Sequence, residues 1–388
     1  MSARGLLGAA DLWPQEQQLC ATAAEGVLLD LRSRRSGEDD PTRGQQWSPQ
    51  QRIRAQVLFQ LLTGYGPELT DGVVAVRVRG AQIVGRLNLG GWKLRCPLEL
   101  YQCHLHCRLD LAKAEAPDIS LRGSYLRSRL SARRLRVVHT LNVTGFRCDG
   151  GVALGEAHIS GHLDCAEAVF SNPDGRALTA FGLTVDGLMS LEKARCTGEV
   201  RLSNAHIGGQ LDCDGAIFSN LDGQALNAAG LTVDASMFLV EARCAGEVVL
   251  FQAHIGGQLV CDEAVFSNPN GRALSAGGLT LGGLMSLGEA QCTGEAQLAI
   301  AHIGGYLNCG ETVFNNPNGQ ALDAFGLTVD ADMSLEKARC TGEVRLSNAH
   351  IGGQLDCDET VFNNPNDQAL SAFGLTVDGT GIPRSLIM

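Results

Sequence analysis

Five histidines stand 48 residues apart, at His158, His206, His254, His302 and His350, each within "AHIGG" or "AHISG". A cysteine follows each at the same step, at Cys165, Cys213, Cys261, Cys309 and Cys357, and a second column runs Cys196, Cys244, Cys292 and Cys340. Imidazole and thiolate together are the composition of a zinc site. The spacing argues against one. If each period makes two turns of stacked strands, neighbours in a column lie about 9.6 Å apart, twice the strand spacing. A shared zinc needs bonds of about 2.0–2.3 Å, and a disulfide needs Cα atoms within about 7 Å. The histidines therefore read as solvent-facing repeat residues and the cysteines as small, polarisable core filling. One local cluster has a metal-like composition: "CPLELYQCHLHC", with Cys96, Cys103, His104, His106 and Cys107. On a strand, Cys103, Leu105 and Cys107 face one way and His104 and His106 the other. No metal site is expected there.

Charge offers two further candidates. "LRGSYLRSRLSARRLRVV" sets Arg122, Arg127, Arg129, Arg133, Arg134 and Arg136 within 15 residues. Guanidinium forks suit phosphates and carboxylates, so this run is a candidate anion-binding surface; the bland alternative is a solvated face. Tyr125 is the one aromatic in the run, too few for a base-stacking platform, and direct nucleic-acid binding is not expected. The formal charge of −11 is unevenly spread: residues 1–156 hold 21 Lys/Arg and 15 Asp/Glu, residues 157–388 hold 10 and 27. In the rear half, Asp164, Asp212, Asp214, Asp262, Glu263, Asp356 and Asp358 recur at regular intervals and form a candidate acidic binding face. Such a face would attract basic clefts.

Catalysis is poorly represented. There is no G-x-G-x-x-G after a strand, no P-loop, no H-E-x-x-H and no G-x-S-x-G. An active site joins unlike groups at one point, whereas this chain sets like groups in columns. No catalytic residue and no cofactor is assigned. The least repetitive stretch, residues 92–151, is where an enzyme or ligand-binding site for a small molecule would lie, as the alternative reading.

What positions these residues is the repeat itself. Residues 190–214 and 334–358 are identical, three periods apart. Inside each period the equivalent residues Cys196, Ile207 and Phe218 step by 11, and Phe218, Leu231 and Cys244 step by 13. Units such as "ARCTGEVRL" and "AHIGGQLDC" alternate apolar and polar residues at period two and carry a glycine where the chain turns. Units this short bury no apolar face alone; coiling and stacking them does. The expected fold is an all-β solenoid of about 13 coils at the strand spacing, each of 22–26 residues. "AHIGG", "ARCTG" and "AVFSN" resemble the units of pentapeptide-repeat proteins over residues 73–377, which implies a right-handed, quadrilateral-type β-helix. The departures are the 11- and 13-residue steps and a looped corner, "FSNPDGRAL". The front half, with "RIRAQVLFQLLTG" and "VRVRGAQIVGRLNLGG", is similar to actinobacterial proteins loosely labelled membrane-associated oxidoreductases. The resemblance implies a protein partner. In gyrase-binding members of the group an acidic rod imitates duplex DNA.

Three segments follow: a helical cap and linker over 1–72, irregular basic coils over 73–156, and five acidic repeats over 157–388, the last incomplete. The cap answers the need to blunt an open sheet end. It is expected as a helix over 16–32, a mobile linker, and a second helix started by Ser48 and Pro49 and carrying Ile53, Val57, Leu58, Leu61 and Leu62. At the other end, either Ile382, Leu386, Ile387 and Met388 fold back or two chains meet in a homodimer, the favoured reading. No apolar run is long enough for a membrane helix. No signal peptide is evident at the start, and a reducing cytoplasm fits the cysteine pattern.

Overall fold

A computed structural model describes residues 6–33, 37–66, 72–365 and 367–379. The chain is a parallel β-solenoid of about 14 turns. It separates into two compact units, one running to Asn172 with Arg176–Met189, the other comprising Pro173–Gly175 and the chain from Ser190.

In the second unit Leu211 pairs with Met237 and Met237 with Leu259, so turns of 26 and 22 residues alternate. Each turn has four short strand faces. One turn uses Leu211–Asp212, the two ends of Ile217–Asn227, and Thr232–Val233. The core follows from strict register. Cys196, Phe218, Cys244, Phe266, Cys292, Phe314 and Cys340 form one inward ladder, all buried. Small and large residues alternate turn by turn, so each ring fills the space a thiol leaves. The four additional residues of the longer turns sit in the looped corner. Asn220 Nδ2 donates to Gln224 O (3.0 Å), and Asn268 and Asn316 repeat the bond to Arg272 O and Gln320 O at 2.8 Å. These bonds close the loop on itself. It passes over Gly246, where a Cβ would lie 2.3 Å from Asn220 O, so only glycine fits beneath it.

In the first unit the capping segment is less helical than its sequence suggests. The first helix, α1, is Pro14–Glu25 and stops at Gly26, which is left-handed (φ 68°). The chain then pairs as a strand, Leu29 and Asp30 against Val78 and Arg79. Ser48 and Pro49 open a short 3-10 turn rather than the second helix. Arg52–Arg54 follows as a strand on Gln82–Val84, and only then comes α2, Ala55–Thr63. Both differences have one cause. The first turn of a solenoid presents unpaired backbone groups, and strand pairing satisfies them where a helix satisfies only itself. β-branched Ile53 suits that role. Leu19 and Ala23 of α1 and Val57, Leu58, Leu61 and Leu62 of α2 are buried. Glu16 locks the cap: fully buried, it accepts from Trp13 N (2.9 Å), Arg54 N (2.9 Å) and the Arg54 guanidinium.

Of the linker expected to be mobile, residues 34–36 lie outside the described residues, and the rest packs on the first unit. Pro41–Gln46 is a 3-10 segment, and buried Trp47 donates from Nε1 to Glu38 O at 2.7 Å. Gly44 sits so close to His104 that a Cβ would lie 2.2 Å from its ring stem. An apolar side chain and an exposed sheet face draw the segment down.

At the far end, Ile382, Leu386, Ile387 and Met388 lie outside the described residues. In the last described turn Phe362, Leu370, Leu375 and Val377 are half-exposed, while their equivalents one repeat earlier, Phe314, Leu322, Leu327 and Val329, are fully buried.

Candidate functional site

The corner after the first face of each turn is the recurrent feature. It follows a six-residue plan, Leu-Asp-Cys-Asp-Gly-Ala at 211–216. Residues one and three point into the core, two outward, four and five make the corner, and six is buried again. The fifth residue is left-handed. In the second unit it is Lys193, Gly215, Glu241, Glu263, Glu289, Glu311, Lys337 and Glu359, with φ between 53° and 61°. Adjacent turns are tied there by Glu241 N to Asp262 O, Glu263 N to Gly288 O and Glu289 N to Gly310 O. Glu241, Glu263, Glu289 and Glu311 therefore occupy four successive turns, all exposed, at the strand spacing of about 4.8 Å. A side chain in this conformation costs about 1–2 kcal/mol that glycine avoids.

The acidic residues picked out by sequence divide into two kinds. Asp164, Asp212 and Asp356 occupy the second place, half-buried. Each accepts from the N–H two residues on, Ala166 (3.0 Å), Asp214 (2.9 Å) and Asp358 (2.9 Å). These are Asx turns that close the corner. Asp214 and Asp262, at the fourth place, are similarly engaged: Asp214 accepts from Val240 N (2.8 Å), Asp262 from Gly288 N (2.9 Å) and the Ser286 hydroxyl. Burial, then the carboxylates of Asp212, Glu192 and Glu241, hold the Asp214 carboxyl above its usual range. The outward second-place ladder from Asp212 continues through Phe238, Val260, Ser286, Asn308 and Ser334 before Asp356. No continuous carboxylate strip runs along it. Glu263 and Asp358 are exposed. Glu241, Glu289 and Glu311 were missed; the signal was the recurrent "EA" or "ET" at 241, 263, 289, 311 and 359.

The arginine run disperses. Ile119 pairs with Leu141, so residues 119–140 are one turn and the six arginines wrap around it, all exposed. Arg134 pairs with Glu156 at 2.7 Å, with Arg133 beside it. Arg127 and Arg129 flank another corner, and Arg136 lies on the outer side of a different face.

Arg122 alone enters a cleft. In the first unit the fourth corner place carries Arg79, Tyr101 and Arg122 on successive turns, and Arg32 lies beside them, two residues past Asp30, the ladder partner of Arg79. They line an open cleft of about 550 Å³ with Gly123, Gly145 and Glu167. At the fifth place Gly123 and Gly145 remove the wall that glutamate builds in the repeats, while Gln102 and Glu167 keep a side chain there. Arg32 is held by Asp30 (2.7 Å). The Arg79 guanidinium lies 5.6 Å from the Tyr101 ring centroid. Its Nε is buried and has no hydrogen-bond partner among the described residues.

His158, His206, His254, His302 and His350 are exposed, and the two cysteine columns are buried. Cys103 and Leu105 point inward. His104, on the outer side, is covered by the Pro41–Gln46 segment, its Nδ1 2.8 Å from Pro41 O. Among the described residues no group of three or more His, Cys, Asp or Glu side chains is arranged to hold a metal ion, and no helix is long and apolar enough to cross a membrane. No protein-family model matches the chain, and no curated protein matches it.

Proposed function

We propose that the chain is a non-enzymatic protein-interaction solenoid of the pentapeptide-repeat-like kind. Its glutamate ridge occupies the basic cleft of a DNA-handling protein, a topoisomerase being the concrete case. One observation carries this reading: four successive turns place glutamate where glycine is the less strained choice. Carboxylates stacked at the strand spacing also repel one another, so the ridge has no benefit for folding. A duplex carries one charge per about 1.7 Å of axis and each strand one per about 3.4 Å. The ridge offers about one per 4.8 Å, so it imitates one strand more closely than a duplex. Attraction of this kind weakens with salt. Fourteen free cysteines fit a reducing compartment, the cytoplasm.

The half-exposed apolar residues of the last described turn favour a second copy of the chain as their cover. Sedimentation velocity would show a dimer that Phe373→Asp, altering the most exposed of the large apolar residues there, disperses to monomer.

The test is a supercoiling assay with purified topoisomerase at two salt concentrations. Inhibition that weakens at the higher salt is expected. It should be lost in the variant Glu241→Lys, Glu263→Lys, Glu289→Lys, Glu311→Lys. Lys337 already occupies this corner in the same conformation (φ 56°), so the variant keeps the fold. Equal inhibition by both proteins, or none at high excess, rejects the mimic.

A further inference from the structure

The geometry points to a second site of opposite sign: we infer that the cleft between Arg79 and Arg122 binds an oxyanion, the phosphate or carboxylate of a small ligand. The inference concerns the first unit and is independent of the glutamate ridge. Three facts support it. Arg79 and Arg122 occupy one corner place two turns apart, with Tyr101 between them, so two guanidinium groups line one cleft across a neutral ring. Asp30, the ladder partner of Arg79, is bonded to Arg32, and Glu167 lines the same cleft. Neither gives Arg79 its missing bond. The buried Arg79 Nε lacks any acceptor among the described residues, and a buried guanidinium donor without one is a standing cost that a ligand oxygen removes.

The corner has also been opened. Where the repeats carry Glu263 or Glu289, this unit has Gly123 and Gly145, both lining the cleft. Backbone is thereby exposed and a ligand can approach closely. The volume, about 550 Å³, is that of a small-molecule pocket. Tyr101 lies between the two arginines in turn order, with Arg79 over its ring. Its hydroxyl donates to Glu99 Oε2 (2.6 Å), so the ring is fixed as a wall. The guanidinium forks of Arg79 and Arg122 then offer paired donors to oxygens placed between them, the geometry that favours Arg over Lys.

Isothermal titration of the full chain with inorganic phosphate, pyrophosphate and citrate tests this. Saturable binding of at least one is expected, and which of them binds tells a phosphate site from a polycarboxylate site. Arg122→Gln and Arg79→Gln should each weaken it about tenfold, as loss of a charge-assisted bidentate contact does. Arg79→Lys, which keeps the charge and loses the fork, should also weaken it. Arg129→Gln removes an equal charge from another corner of the same turn and should change affinity less than about twofold, as expected of a distant screened charge. Arg122 is exposed, so its variant folds even if one at Arg79 does not. No saturable binding of any of the three anions, or equal weakening by Arg129→Gln and Arg122→Gln, overturns the site.

Discussion

His206 Nε2 lies 3.0 Å from both carboxylate oxygens of Asp234, two residues beyond its own ladder partner Thr232. His302 and Asp330 repeat the contact, and in the first unit so do His158 and Asp186. At His254 the equivalent acid is replaced by Gly282. The repeat therefore survives without the pair. Both partners are about half exposed, 51% and 54% for His206 and Asp234, and such pairs contribute roughly 0–1 kcal/mol. Asp234→Ala should lower the thermal midpoint only slightly, with the difference shrinking in high salt. A large, salt-independent loss would show that the pair is shielded from solvent and does more than decorate the face.

The Asp214 carboxyl behaves in the opposite way to an ion-paired acid. Its folded-state pKa is raised, by burial first and by Asp212, Glu192 and Glu241 next. A raised carboxyl pKa means the folded protein disfavours the charged form. The stability is then full below the unfolded-state value and falls as pH rises through the folded value. Asp214→Asn keeps the acceptor for Val240 N and discards the charge. The variant should melt higher than the parent at pH 7, and the two should converge in acid, where Asp214 itself is protonated. A lower midpoint for Asn at pH 7 would mean that the charge strengthens the bond to Val240 by more than its burial costs.

Much of this architecture was legible because the repeat is a one-dimensional pattern. Cys196, Phe218 and Cys244 at steps of 22 and 26 fix a turn length, and period-two alternation fixes which way each side chain points. Less legible was whatever depends on a corner's backbone. Asp212 and Glu263 look alike as acids in a sequence, yet one closes an Asx turn and the other stands free on a left-handed residue. Proximity in sequence misled for the arginines, since 15 consecutive residues wrap most of a 22-residue turn. The cleft was hidden for the converse reason: Arg32 and Arg79 are 47 residues apart and meet because Leu29–Asp30 pairs beside Val76–Arg79. Pairing decided the ends too, where Ile53 became strand rather than helix because an open edge lay beside it.

The thiols should be silent in the native state. Twelve of the fourteen cysteines are buried; Cys20 and Cys107 are only half-buried. Burial pushes the thiols of Cys196, Cys244 and Cys292 up to about 12, and thiols rather than thiolates react slowly. Pulse alkylation at pH 8 followed by mass spectrometry should modify at most Cys20 and Cys107 quickly, with the column cysteines reacting only after denaturant. Fast labelling of Cys213 or Cys261 in native protein would show that the turns open locally far more readily than their packing implies.

Ile300 marks the clearest strain in the repeats. It occupies a second left-handed corner (φ 54°), where the equivalent residues are Asn204, Gln252 and Asn348. β-branched side chains are the least suited to that conformation, and Ile300 recovers little by packing, being 65% exposed. Asparagine tolerates the left-handed region through its short polar side chain. Ile300→Asn should therefore stabilise the second unit by about 1 kcal/mol, the lower end of the cost of a left-handed side chain, and Ile300→Gly by a similar amount. The contact of Ile300 with Gly326 on the next turn, where an added Cβ would lie 3.4 Å from Cγ2, offers a control. Gly326 is itself left-handed (φ 61°), so Gly326→Ala should destabilise in both the parent and the Ile300→Asn background. A fall in thermal midpoint for Ile300→Asn would mean that the exposed side chain is held by contacts that outweigh its backbone strain.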